Sequence, residues 1–360
     1  MKELLIPAAA FLIAFVSALW LHPKVVEIAR RKQITDKPDR RKLQREPVPV
    51  LGGVVVFFGM VMGMGFVSPH FECPDILLPF TLMLLMLYTG SMDDVLGLSP
   101  GLRFAIEIFA ALLLIFEGGM AIDDFHGLWG LHTIPLWIAG PLTVVSVVGI
   151  INSINLIDGV NGLSSGFCIF ACSAFCIYFH SAGDMASVIL AITCVGALIP
   201  FFIHNVFGHR MKMFIGDGGT LLMGMILSIF VLRTLDADNP AAHYNEGLIP
   251  FTLAVLSVPV FDTLRVMTMR ILRGGSPFLP DKTHLHHAFI EVGFSHLWTT
   301  LSILFLDLLV TVVWFILFKA GAPVDMQLYA VLTLAAASTA GVYLALRNIC
   351  SRRAAEQSRN

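Results

Sequence analysis

IPLWIAGPLTVVSVVGIINSINLIDGVNGLSSGFCIFACSAFCIYF, residues 134–179, decides the fold class. Two apolar runs flank a short polar stretch, 151–166. That stretch carries Asn152, Asn155, Asp158 and Asn161, with Gly159 and Gly162 between them. Each apolar run approaches the ~20 residues that cross a bilayer as a helix. The runs are continuous rather than alternating, which argues against a membrane barrel.

The rest of the chain repeats this pattern. Of 360 residues, 57% are hydrophobic and 13% are charged, and the mean hydropathy is +0.82. The charged share is about half that of soluble domains. The composition predicts an all-α polytopic membrane protein, because helices satisfy their own backbone in lipid. Eleven candidate spans lie at 4–22, 50–67, 76–91, 103–122, 134–151, 163–180, 185–203, 218–235, 248–268, 298–318 and 326–346. The first lacks a basic leader and a small-residue cleavage site, so it reads as a retained span. Cys168, Cys172 and Cys176 share a helix face and read as small-residue packing. Cys73 is the one cysteine expected outside, without a partner there, so no disulfide framework follows.

Lysine and arginine sort unevenly between the connections. The first, 23–49, holds nine, while 68–75 and 117–133 hold none. Arg210 and Lys212, then Arg270, Arg273 and Lys282, then Arg347, Arg352, Arg353 and Arg359 fall on the same side as the first group. The basic-inside rule then puts the N-terminus outside and the C-terminus in the cytoplasm. There is no internal repeat and no second soluble domain: 1–346 reads as one membrane domain and 347–360 as a basic tail.

The unusual polar groups share the basic face. They are DKPDRRKLQREPVPVLGG (36–53), GSMDDVLG (90–97), the stretch 151–166, FIGDGG (214–219) and RGGSPFLPDKTHLHHAF (273–289). A transporter would set such groups near the midplane. Here the conspicuous carboxylates are expected at span ends, which favours a cytosol-facing enzyme over a divalent-cation transporter. The GxGD pattern of an intramembrane aspartyl protease fails at Phe214.

Each cluster has its own chemistry. Asp93 and Asp94 are adjacent carboxylates, which suit magnesium and its bridging to phosphates, or else form a solvated pair. Asp217, among Gly216, Gly218 and Gly219, opens a span whose N-terminal amides attract anions, or simply caps it. Asn152, Asn155 and Asp158 would lie on one side of a helix, with donors and acceptors suited to an amide or a base edge, or else form a polar loop between spans. His284, His286 and His287 can contact phosphate or sugar, or do acid–base work; zinc is disfavoured because no cysteine is near. Asp262 with Arg265, and Arg103 with Glu107, have the spacing of local ion pairs.

Taken together and in this order, DKPDRRK, PVLGG, MDDVLGL, NSINLIDGVNGL, FIGDGG and PVFDTLRVMTMRILRGGSPFLPDKTHLHH resemble the polyprenyl-phosphate N-acetylhexosamine-1-phosphate transferases. The resemblance covers about residues 35–295. It implies transfer of a sugar 1-phosphate from a UDP-N-acetylhexosamine, GlcNAc first among them, to undecaprenyl phosphate, with release of UMP. Such a step opens a cell-surface polysaccharide pathway at the inner membrane of a bacterium, with the site facing the cytoplasm. It implies magnesium, or manganese in its place, held by Asp93, Asp94 and Asp217. It further implies catalytic roles for these three and His286, and substrate contacts from Asn152, Asn155, Asp158, Asn161, Arg265, His284 and His287. No nucleic acid is implied, and a homodimer is left open. Eleven spans and HLHH look like the N-acetylglucosamine branch; the alternative is the phospho-MurNAc-pentapeptide transferase of peptidoglycan synthesis. Asn161 stands where many members have Asp, and Gln44 where His is common.

Overall fold

The computed structural model describes residues 2–36, 47–70, 76–236, 247–276 and 283–357. Residues 37–46 with Gln44, Cys73, Pro280, Asp281, Lys282 and Arg359 lie outside the described residues. In chain order the helices are α1 (Lys2–Arg31), α2 (Gly52–Val67), α3 (Leu77–Leu96), α4 (Pro100–Phe116), α5 (Leu136–Leu156), α6 (Leu163–Ala182) and α7 (Met185–Phe207). They continue as α8 (Gly216–Thr234), α9 (Leu248–Val255), α10 (Ser257–Leu272), α11 (Leu285–Val292), α12 (His296–Lys319), α13 (Val324–Ala336) and α14 (Val342–Gln357). A π-helical turn, Ala337–Gly341, joins the last two.

The chain is a polytopic membrane protein of helices. Among the described residues, eight helices are long and apolar enough to cross a bilayer, and α9 with α10 is a bent pair that together has the length and apolarity for a ninth. Helix also covers the candidate segment 76–91 from Leu77 on, and the candidate segment 103–122 only as far as Phe116. However, α4 has only 17 residues, and α3 carries Asp93 and Asp94 in its last turn. One small departure from all-α is an antiparallel pair, β1 (Thr35–Asp36) with β2 (Val48–Pro49). The Phe214 amide donates to Pro49 O at 2.8 Å, so this ribbon ties the α7–α8 loop to the start of α2.

Helix α8 is the axis of the bundle. Every residue from Gly216 to Thr234 is buried except Asp217 and Arg233. A helix that is hydrophobic on every side along most of its length belongs in a core, and α2, α3, α5 and α6 surround it. Glycine lets the neighbours close in: a Cβ on Gly90 of α3 would lie 2.3 Å from the Asp217 carbonyl. Cys168 and Cys172 are buried and free, as packing residues.

The single span expected at 248–268 breaks instead at Leu256, with a 76° bend. The cause is Asp307. Its Oδ1 accepts the Ser257 hydroxyl at 2.7 Å and the Val258 amide at 2.8 Å, capping α10. Pro259 follows and offers no N–H. Asp307 is fully buried in the middle of α12. The expectation that the conspicuous carboxylates sit only at span ends is therefore corrected: one lies mid-span, where it serves as a helix cap.

Candidate active site

Four chain segments that are remote in sequence meet at one end of the bundle. The last turn of α3, the turn 157–162, the α7–α8 loop with the start of α8, and α11 surround a cleft of about 530 Å³. Its walls include Asp93, Asp94, Asn155, Asp158, Asn161, Lys212, Phe214, Asp217, His287 and His296. Thr35 and Asp36 of β1 close one edge.

The carboxylates are held firmly. Asp93 Oδ1 accepts the Leu98 amide at 2.7 Å and Oδ2 accepts Arg103 Nη1 at 3.0 Å. Arg103 Nη1 also lies 3.7 Å from Asp217, and its Nε is 3.7 Å from Glu107. Sequence spacing pairs Arg103 with Glu107 alone; the fold makes it the cation between three acids. Asp94 reaches across to α8 and accepts the Asp217 amide at 3.1 Å and the Gly218 amide at 3.2 Å. The N-terminal amides expected to attract an anion are thus engaged by the protein's own carboxylate. Gly216, at φ +72°, makes the turn that aims them.

Helix α5 ends at Leu156, so Asn152, Asn155 and Asp158 do not share a helix face. Asn155 Nδ2 donates to Asp217 Oδ1 at 2.7 Å and to Thr220 Oγ1 at 2.8 Å. Asn152 turns away from the cleft, donating to buried Glu107 and to Val148 O. Asp158 is exposed and lines the cleft. The protein crowded around the cleft mouth, and then the charges of Asp217 and Asp94, push its carboxyl up to about 7. The Asn161 amide donates to His296 Nδ1 at 3.3 Å.

The three histidines separate by depth. His287 lines the cleft. His286 is only 2% exposed, packed against Gly159, stacked on His284 and tilted against His287. Burial, and then the neighbouring His287 charge, hold its imidazole well below the usual range. His284 donates Nδ1–H to Asp262 Oδ2 at 2.9 Å. Arg265 donates to Asp262 Oδ1 at 2.6 Å and to Thr283 O at 2.6 Å. Of the residues singled out by sequence, His284, His286, Asn152 and Arg265 therefore stand behind the cleft wall. Asn152, Arg265 and the Nδ1 of His284 are held by hydrogen bonds to other protein groups, while His286 is packed against neighbouring rings.

Sequence reading passed over several participants. Lys212 had counted only toward topology, yet it lines the cleft; separation from water lowers its pKa. Asn205, a buried carboxamide at the end of an apolar run, accepts the Gly162 amide at 2.7 Å and donates to Met213 O at 2.8 Å. It couples the turn 157–162 to the α7–α8 loop, and its polarity inside such a run was the available signal.

Among the described residues, no three His, Cys, Asp or Glu side chains form a ready-made metal cage. The donor set still fits a hard cation that keeps waters and substrate oxygens, since magnesium is usually bound by one or two carboxylates plus phosphates. Asp93, Asp94 and Asp217 supply only carboxylate oxygen, with Arg103 as their near cation.

The profile of Glycosyl transferase family 4 matches residues 76–235, which hold the aspartate pair, the turn 157–162 and Asp217. A Bacillus subtilis (strain 168) protein named "Probable undecaprenyl-phosphate N-acetylglucosaminyl 1-phosphate transferase" is 28% identical over 82% of this chain and 80% of its own length. The undecaprenyl-phosphate alpha-N-acetylglucosaminyl 1-phosphate transferase of Yersinia pestis is 26% identical over 75% of this chain and 73% of its own. The protein of that name from Pasteurella multocida (strain Pm70) is 31% identical over 79% of this chain and 77% of its own. In keeping with the resemblance its motifs carry, the chain belongs to glycosyl transferase family 4.

Proposed function

We propose that this protein transfers N-acetylglucosamine 1-phosphate from UDP-N-acetylglucosamine to undecaprenyl phosphate, releasing UMP. One observation carries the reading: Asp93, Asp94 and Asp217 converge from two helices on a cleft completed by the turn 157–162. The named relatives support the choice of sugar and lipid.

In the reaction, an oxyanion of the lipid phosphate attacks the β-phosphorus of the UDP-sugar. The bond from that phosphorus to the bridging oxygen breaks, and its electron pair leaves with UMP. One phosphoanhydride forms and one breaks, so the step is close to equilibrium. The lipid phosphate is already ionised at neutral pH and needs no base. Both oxygens of Asp93, and the Asp94 carboxylate, are occupied by donors, which supports positioning roles over covalent attack. Arg103 offsets charge between Asp93 and Asp217, and Asn155 orients Asp217. Lys212 and His287, on the cleft wall, suit contact with the anionic donor. Magnesium, held by Asp94 and Asp217 with Asp93, would supply positive charge to the phosphate oxygens.

The topology belongs to the same proposal: eleven crossings, the N-terminus outside, and the cleft on the cytoplasmic face of a bacterial inner membrane. The basic-residue asymmetry supports it, because Arg30, Arg31 and Lys212 flank the cleft side.

The test is UMP release by purified protein in detergent, with magnesium and undecaprenyl phosphate, across a panel of UDP-sugars. Release with UDP-N-acetylglucosamine and not with UDP-MurNAc-pentapeptide is the expected result. The reverse would assign the peptidoglycan step, and no release by a folded preparation would overturn the activity.

A further inference from the structure

The C-terminal helix contributes nothing to the cleft lining, yet it grips both ends of the helix that does. At the start of α11, the Arg265 guanidinium lies 3.9 Å over the Tyr343 ring while donating to Asp262 and Thr283 O. Asp262 in turn accepts the Leu285 amide at 3.1 Å, the first amide of α11. At the other end, Arg353 Nη1 donates to Val292 O at 2.7 Å, and Arg347 Nη1 lies 3.1 Å from Glu291 Oε2. Val292 closes α11, where carbonyls lack helical partners and cations are favoured.

Helix α11 needs such support. It has 8 residues, well under the ~12 at which isolated helices become even marginal. Its placement is also tightly constrained by function: His287 lines the cleft and His286 rests against Gly159 in the turn that carries Asp158. The π-helical turn Ala337–Gly341 lies just before the gripping residues. One extra residue there rotates everything after it by about 100°, which sets the azimuth of Tyr343 and Arg347.

We propose that α14 is a positioning arm: Tyr343, Arg347 and Arg353 hold α11 at the depth where His287 meets the nucleotide-sugar. The kinetic half of this proposal rests on the transferase reading above, and the structural half does not.

The test uses the full chain in detergent, with two readouts. The first is UMP release at varied UDP-N-acetylglucosamine. Arg347→Glu combined with Arg353→Ala should raise its KM about threefold to tenfold, while KM for undecaprenyl phosphate stays within about twofold, the range of a surface change elsewhere. Adding Glu291→Arg, which restores the ion pair with reversed sign, should recover part of the loss. Tyr343→Leu should act like the double variant, and Tyr343→Phe, which keeps the ring face, should not. The second readout is hydrogen exchange over Leu285–Val292 without substrate, expected to speed up in the double variant and in Tyr343→Leu. Unchanged exchange would overturn the grip. Faster exchange with unchanged KM would overturn the positioning role and leave α14 a structural support. If wild-type protein uses no UDP-sugar, the transferase reading falls, and exchange still decides whether α14 holds α11.

Discussion

Gly159→Ala is the sharpest probe of the cleft's construction. A Cβ at this position would lie 2.2 Å from His286 Nε2 and 2.8 and 2.9 Å from two ring carbons. Ordinary contact begins at 3.4 Å, so the ring must retreat by about 1.2 Å (3.4 minus 2.2). It has little room. His286 is 2% exposed, and ring centroids of His284 and His287 stand 5.8 and 4.2 Å away. Gly159 is not in the left-handed region, so alanine meets no backbone objection and the effect is steric. Overpacking of this kind costs about 1–3 kcal/mol of stability. A displacement near 1 Å in a positioned group can cost on the order of 100-fold in rate. The expected outcome is a fall in kcat/KM for UDP-N-acetylglucosamine of about 10- to 100-fold, with a lower thermal midpoint in detergent. His286→Ala removes the obstructing ring, so the double variant should be no worse than His286→Ala alone. A Gly159→Ala protein with wild-type kinetics, or strictly additive losses in the double variant, would refute the packing of α11 on this turn.

Other perturbations separate chemistry from scaffold. Asp94→Asn and Asp217→Asn should each abolish UMP release while leaving membrane insertion intact; wild-type turnover in either would remove that carboxylate from the reaction. Asp307→Asn keeps an acceptor for Ser257 and Val258 and should be tolerated, whereas Asp307→Leu leaves two buried donors unpaired, at about 1–3 kcal/mol each; equal thermal midpoints for the two would dismiss the cap. Asp262→Asn removes the buried charge paired with Arg265 and His284, and should lower stability by about 3–5 kcal/mol, read as a reduced midpoint with loosened α11 exchange. Below about pH 6.5 the unfolded chain protonates His286 while the folded chain holds it neutral, so the folded state loses stability as pH falls through that value. His286→Gln should flatten this acid-side slope in thermal unfolding, and an unchanged slope would assign it to other groups.

Several of these groups were partly legible in the sequence. Pro259 marks a weak point in the span 248–268, but the break at Leu256 needs Asp307, about fifty residues away, to take the freed donors. The histidine cluster was visible as three equal imidazoles. Burial divides them into one that faces the cleft and two that pack behind it, and that difference of a few ångströms has no counterpart in HLHH itself. Arg103 and Glu107 show helical spacing, whereas the approach of Asp217 to the same guanidinium requires α3, α4 and α8 to be packed first.

What sequence alone determined is the class of protein and the set of segments that carry chemistry. A bilayer forces each spanning segment to satisfy its backbone locally, so hydropathy along the chain is enough to announce helices, and motifs between them to announce a family. Tertiary structure decided which of those polar side chains share one cleft. Asn155 and Asp217 are 62 positions apart and bond at 2.7 Å. They meet because α3 and α5 both pack on α8, with Gly90 leaving room for the Asp217 backbone. Such contact depends on volumes in three dimensions, and a linear pattern of residue types does not contain it.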